Sequence, residues 1–232
     1  MRSKLALTIV LCALMSVVSG CQEVEKIANK VKDKVTGKKK AVEAEPKAEE
    51  PEKAPIVSGT IGLLIPSEGY QDAELDTARS VFTEAGFDVQ VISFFGGQAT
   101  GALGGETAVD KQLEDILESV EDYVAVVLIG GPGATFYHKD KKAHELVQKA
   151  MAAETVVGAI CLAPFTLGYA GVLKGRKATA WTGGRFTSGM LAAEGALFRD
   201  DSVVIDDNLI TANGPDAARA FAKAVVATLK GN

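Results

Sequence analysis

The run Val156-Val157-Gly158-Ala159-Ile160-Cys161-Leu162-Ala163-Pro164 places a thiol where a short apolar strand turns directly into a helix. A sulfur at such a junction meets the partial positive charge of the helix start, so the spacing predicts a nucleophile elbow with a lowered thiol pKa. Pro164 suits a first helical turn, and Gly158 relieves crowding ahead of it. Nucleophilic attack on a carbonyl, or oxidation to sulfenic or sulfinic acid, is the chemistry open to such a thiol. The competing reading is a buried, inert strand cysteine.

Other groups gather around that position. Gly130-Gly131-Pro132-Gly133 follows an apolar strand, and backbone amides there (Gly131) and beside the cysteine (Leu162) are candidates for an oxyanion hole. The same glycines also serve a tight strand-to-helix turn. A phosphate cradle is excluded because no Lys-Ser/Thr pair follows. The chain has two histidines, His138 and His144. His138 is a candidate base for Cys161 or else a solvated loop residue, and His144 belongs to a helix surface. Trp181, Arg185 and Phe186 follow a later strand and suit either a pocket mouth or a contact between copies. Two histidines and one thiol make no metal cluster, so neither metal nor cofactor is expected.

The elements that must position these groups occupy only part of the chain. Arg2 and Lys4, the apolar run from Leu5 to Val18, and Ser19-Gly20-Cys21 have the order of an export signal, too short to span a membrane. Val18-Ser19-Gly20-Cys21 resembles a bacterial lipobox, which predicts residues 1–20 as a leader and Cys21 as an acylated anchor to the bilayer. Gln22 after the cysteine points to the periplasmic face of the outer membrane in the cell envelope of a Gram-negative host. With Cys12 leaving in the leader and Cys21 lipidated, Cys161 is the one free thiol of the mature chain, in a compartment where an idle exposed thiol forms mixed disulfides. Residues 21–55 are rich in Lys, Glu, Ala and Pro, too polar to bury a core, and read as a flexible charged tether. Val24, Ile27, Val31 and Val35 fall near helical spacing in its basic first part, so a surface-lying helix and a solvated linker both remain open.

Residues 56–232 suffice for one domain without staples. Of 25 Lys and Arg and 30 Asp and Glu in the chain, 14 and 22 fall in this span, leaving about −8 and arguing against a nucleic-acid partner. Strands are predicted at Thr60–Pro66, Asp88–Phe94, Val124–Ile129, Val156–Ile160, Lys177–Trp181, Ser202–Asp206 and Leu209–Ala212. Helices are predicted at Ala73–Ala85, closed by Gly86, at Lys141–Ala153, after Cys161, and at Asp216–Leu229. Phe95–Val109 reads as a loop or small hairpin. Continuous apolar strands between amphipathic helices mean an α/β three-layer sandwich with a mainly parallel sheet.

Five motifs in order then resemble the DJ-1/PfpI superfamily: Tyr70-Gln71-Asp72-Ala73-Glu74-Leu75, Leu128-Ile129-Gly130-Gly131-Pro132-Gly133, the Cys161 elbow, Leu173-Lys174-Gly175-Arg176-Lys177-Ala178-Thr179, and Asn208 to Pro215. The resemblance implies a flavodoxin-like fold related to class I glutamine amidotransferase domains and homodimers or larger homo-oligomers. It also implies activities ranging over cysteine peptidase, glyoxalase, protein deglycase, chaperone and oxidative sensing. It implies a glutamate against the thiol, and an ungapped match puts Gln71 there, so an amide stands in for a proton carrier. Glu74 matches a second, inward-facing family acid; Asp72 and Glu68 are nearby carboxylates that either substitute for the missing glutamate or lie as helix N-terminal charges on the surface. Leu162 occupies the place of the histidine that follows the cysteine in peptidase-like members. The expectation is an elbow thiol acting on small reactive carbonyls or glycated protein groups, with a non-catalytic redox-sensing, chaperone-like or binding module as the alternative.

Overall fold

The computed structural model describes residues 58–183 and 187–231. The leader, Cys21 and the tether lie outside the described residues, as do Arg185 and Phe186. Twelve strands are described: β1 (Thr60–Leu64), β2 (Glu68–Tyr70), β3 (Asp88–Ser93), β4 (Gly97–Gly101), β5 (Glu106–Val109) and β6 (Lys111–Gln112) come first. They are followed by β7 (Tyr123–Leu128), β8 (Val156–Ile160), β9 (Lys177–Ala178), β10 (Leu197–Phe198), β11 (Val203–Asp206) and β12 (Leu209–Ala212). The helices are α1 (Asp72–Glu84), α2 (Leu113–Ile116), α3 (Lys141–Ala152), α4 (Pro164–Tyr169), α5 (Thr187–Ala193) and α6 (Ala218–Leu229).

Seven strands form the central sheet in the order β11-β12-β8-β7-β1-β3-β6, parallel except for the β11–β12 hairpin. This is an α/β fold with a mainly parallel central sheet. The register levels the carboxyl ends: Leu64 pairs with Ile92 and Leu128, Leu128 with Ala159, and Ala212 with Ile160. Residues that follow these strands, Gly130 and Cys161 among them, therefore emerge on one edge.

Alternate strand residues feed two cores, as a pleated strand requires. Leu64, Ile92, Val126, Leu128 and Val157 pack with Leu146 and Val147 of α3 and Phe165 of α4. Ile61, Leu63, Val91, Val127 and Ile160 pack with Leu75 and Phe82 of α1 and Phe221 and Val225 of α6. Both faces are covered, which is why the strands read as unbroken apolar runs. Cys161 belongs to the α1/α6 layer.

Two predicted segments differ in detail. The strand expected over Lys177–Trp181 ends at Ala178 and pairs with β10 rather than joining the central sheet. Beyond it, Thr179 N–H donates to the Thr211 hydroxyl at 2.9 Å and Trp181 N–H to the Cys161 carbonyl at 2.8 Å, so side-chain and elbow contacts replace a ladder. Phe95–Val109 contains the antiparallel hairpin β4–β5, with β2 added in parallel.

Candidate functional site

The site is built from three carboxyl-end turns. After β8 the chain must reverse into α4 within three residues, and Cys161 takes φ +64° to do so. A left-handed conformation costs a residue with a Cβ about 1–2 kcal/mol. It is held from both sides, because Cys161 N–H donates to the Ala212 carbonyl at 2.9 Å and its own carbonyl accepts from Trp181. The side chain is 7 % exposed and is the free cysteine of the described residues.

After β7 comes the glycine loop. A Cβ on Gly130 would lie 2.5 Å from the Cys161 Cβ, and one on Gly131, at φ +102°, would lie 2.4 Å from the Gly69 carbonyl. Lacking both, the loop presses against the elbow and the start of α1. Backbone amides of Gly131 and Leu162 face the Cys161 sulfur and favour its thiolate form. Gly130 is stitched to α1 twice: its carbonyl accepts from Gln71 N–H at 3.0 Å, and its N–H donates to Glu74 Oε2 at 2.9 Å.

Glu74 is the third contributor. It sits in the first turn of α1 on the buried stripe formed with Leu75, Ala78, Val81 and Phe82, and it is 1 % exposed. Oε1 has no hydrogen-bond partner, and the carboxyl lies beside the Cys161 thiol. Burial lifts this carboxyl from 4.5 to about 7, against the pull of the Gly130 amide and the thiol. Burial first, and the Glu74 charge second, push the Cys161 thiol up to about 12, against the Gly131 and Leu162 amides. The lowered thiol pKa expected of the elbow is therefore corrected: α4 has only six residues, too short for a strong dipole, and desolvation outweighs two amides.

Gln71 does not occupy the place beside the sulfur that the ungapped match gave it. It caps α1, its side chain accepting weakly from Ala73 N–H at 3.3 Å. The carboxyl facing the thiol is three residues on, at Glu74. Asp72 turns outward to accept from Leu103 and Gly105 N–H, both at 2.8 Å, and Glu68 is exposed.

His138 is near the elbow without facing the sulfur. Its Nε2 donates to the Leu162 carbonyl at 2.9 Å, so that nitrogen carries a proton and cannot accept one from Cys161. Burial against Phe165 and Tyr169 lowers its pKa. His144 is half-buried rather than on the helix surface, its Nε2 donating to the His138 carbonyl at 2.7 Å. Trp181 is 42 % exposed, with its ring over Gly183 and Gly214. Sequence reasoning missed Tyr137. It is fully buried, donates to the Ile129 carbonyl at 2.5 Å, and burial together with the Glu74 and Cys161 charges raises its pKa. An aromatic residue six positions past a glycine gave no signal of this. Among the described residues no cluster of three metal-ligating side chains occurs.

The family model described as the DJ-1/PfpI family matches residues 60–228. A protein of uncharacterised function from Methanocaldococcus jannaschii is 37 % identical over 171 residues, 73 % of this chain and 82 % of its own length. Deglycase PfpI of Pyrococcus furiosus is 32 % identical over 168 residues, 72 % of this chain and 98 % of its own. Among solved structures, a ThiJ/PfpI domain protein from Brachyspira murdochii superposes with a TM-score of 0.71 at 26 % identity, covering 75 % of this chain and 97 % of that one.

Proposed function

Since the chain belongs to the DJ-1/PfpI family, we propose that it is an envelope lipoprotein whose Cys161 thiol acts on reactive carbonyls, either small 2-oxoaldehydes or glycated protein groups. The observation that carries the reading is a free thiol, 7 % exposed, beside a buried carboxyl poised near neutrality. Glu74 and Cys161 gain one negative charge between them as the pair loses its first proton near pH 7, and loss of a second proton adjacent to the first is pushed far up.

The sulfur attacks the aldehyde carbon, forming the C–S bond while the S–H proton passes to Glu74 and returns to the new alkoxide. In the resulting hemithioacetal the same carboxylate removes the proton from the former aldehyde carbon, the hydroxyl proton passes to the neighbouring carbonyl oxygen, and the carboxylic acid returns its proton to the neighbouring carbon, leaving a 2-hydroxyacyl thioester. Water cleaves that thioester, releasing a 2-hydroxy acid and restoring the thiol. No external oxidant is consumed. Amides of Gly131 and Leu162 stabilise the anionic sulfur whenever it forms.

Cys21 anchors the chain to the periplasmic face of an outer membrane, residues 21–55 act as the tether, and a second copy of the chain is the expected partner. A redox-responsive role is the second reading, favoured by the unsatisfied Oε1 beside the sulfur, which in its protonated form would hold a sulfinate oxygen. Mass spectrometry after mild peroxide reads it. Conversion of methylglyoxal to lactate tests the first reading. Cys161→Ser is expected to lower turnover by about 1000-fold or more, and Glu74→Gln by about 100-fold. Gln71→Glu should stay within about two-fold, because residue 71 serves a helix cap. Equal rates in the parent and Cys161→Ser would rule out the thiol.

A further inference from the structure

A cavity opens on the same edge of the sheet, and neither Cys161 nor Glu74 lines it. This cavity of about 320 Å³ sits where the chain leaves three strands. Glu68 follows β1, Phe94 and Phe95 follow β3, and Phe136, Tyr137 and Asp140 belong to the turn after β7. In a parallel α/β sheet, ligand crevices open at the carboxyl ends where the chain changes direction across the sheet. Here β3 and β7 flank β1 on opposite sides, so that change falls at the β1/β7 boundary, which the cavity adjoins.

Its floor is fixed. Phe94 stacks on Tyr137 with centroids 5.8 Å apart and planes 12° from parallel, and the Tyr137 hydroxyl is tied to Ile129. A Cβ on Gly133 would lie 1.8 Å from the Glu68 carbonyl, so glycine there lets β2 close against the turn and complete the wall. Phe95 and Phe136 are 72 % and 82 % exposed, a pair of large apolar rings that water solvates poorly. Two of the lining residues, Glu68 and Asp140, are acidic, the Ser67 hydroxyl is engaged with that of Ser93, and among the described residues no Lys or Arg lines the cavity. Asp140 spends Oδ1 on capping α3. Two neighbouring cations are turned elsewhere, Lys139 over the Tyr169 ring and Lys142 onto Glu114 at 2.8 Å.

We propose that this cavity binds a guanidinium side chain, the arginine of a peptide. Phenyl faces attract a planar cation and cover its apolar stem, two carboxylates supply the opposing charge, and a domain of net charge about −8 draws such a ligand in. The site is a seat for a protein ligand beside the thiol, and it stands whether or not Cys161 turns over a carbonyl.

Amide NMR titration of the full chain with acetyl-arginine amide tests it, with acetyl-citrulline amide as the uncharged isostere. Shifts are expected at Glu68, Phe95 and Phe136, with citrulline binding at least about ten-fold more weakly. Phe136→Ala and Glu68→Gln, both at exposed positions, should each weaken arginine binding several-fold, and Cys161→Ser should leave it within two-fold. Citrulline binding as well as arginine, absence of any shift, or affinity untouched by both substitutions would overturn the proposal. So would a finding that Phe95→Ala and Phe136→Ala change the oligomeric state while arginine fails to bind, which would make the cavity a contact between copies.

Discussion

Helices α1 and α3 are nearly the same length, 13 and 12 residues, and each lays one stripe on the sheet from an opposite face. The stripe of α3 is Ala143, Leu146, Val147 and Ala150, as a helix built only for packing would have it. That of α1 begins with Glu74 and continues through apolar residues. Their caps differ in the opposite sense. Asp140 accepts from two amides, at 2.8 and 3.0 Å, whereas Gln71 accepts from one at 3.3 Å. So the well-capped helix with a fully apolar stripe serves the fold, and the poorly capped helix with a carboxyl in its core stripe serves the thiol. Functional groups appear where a locally consistent pattern is broken.

The comparison can be broken by moving the acid. Ala143 is fully buried on α3, and Ala143→Glu places a carboxyl in the core with no amide prepared to receive it. A loss of at least about 3 kcal/mol is expected, read from denaturant melts. Removing the acid from α1 gives the converse. The folded-state pKa of Glu74 is raised, so its contribution to stability is full below about 4.5 and is lost as pH rises through about 7. Glu74→Gln should flatten that dependence and, at pH 8, leave the variant more stable by up to about 3 kcal/mol. Melts at pH 4 and pH 8 check it, and a parent whose stability rises over that interval while the variant's does not would refute it. The caps sharpen the comparison with the smallest effect. Asp140→Ala is expected to cost about 1 kcal/mol, and Gln71→Ala less than half of that, by thermal unfolding.

Much of this was legible in residue order. The sequence predicts Val156–Ile160 and Leu209–Ala212 as strands with the bounds they have, because apolar runs flanked by turn residues leave few alternatives. Gly158 tolerates no Cβ beyond glycine's space, with Phe221 at 2.9 Å, so its place in a strand is itself a packing requirement. Strand β9 is shorter than its apolar run because Thr179 and Trp181 are tied by contacts 32 and 20 residues away in the chain, which no local window contains. Residue order does not decide between loop and hairpin at β4–β5, because glycine, glutamine and threonine carry little alternation and only Ala99 and Gly101 of β4 are buried. At the site, position along an ungapped match selected Gln71 for the thiol. Helical spacing would have selected Glu74, which shares a face with Ala78, Val81 and Phe82. The upward push on the thiol could not be read from the elbow, since it comes from burial and from a charge 87 positions away in sequence.

The central claim is that Cys161 and Glu74 act as one titrating pair. The pH dependence of Cys161 alkylation by iodoacetamide, measured in the parent and in Glu74→Gln, tests it most directly. The account predicts a rate that steps upward near pH 7 in the parent, as the pair loses its first proton, and no step there in Glu74→Gln. Identical profiles in the two proteins would contradict it.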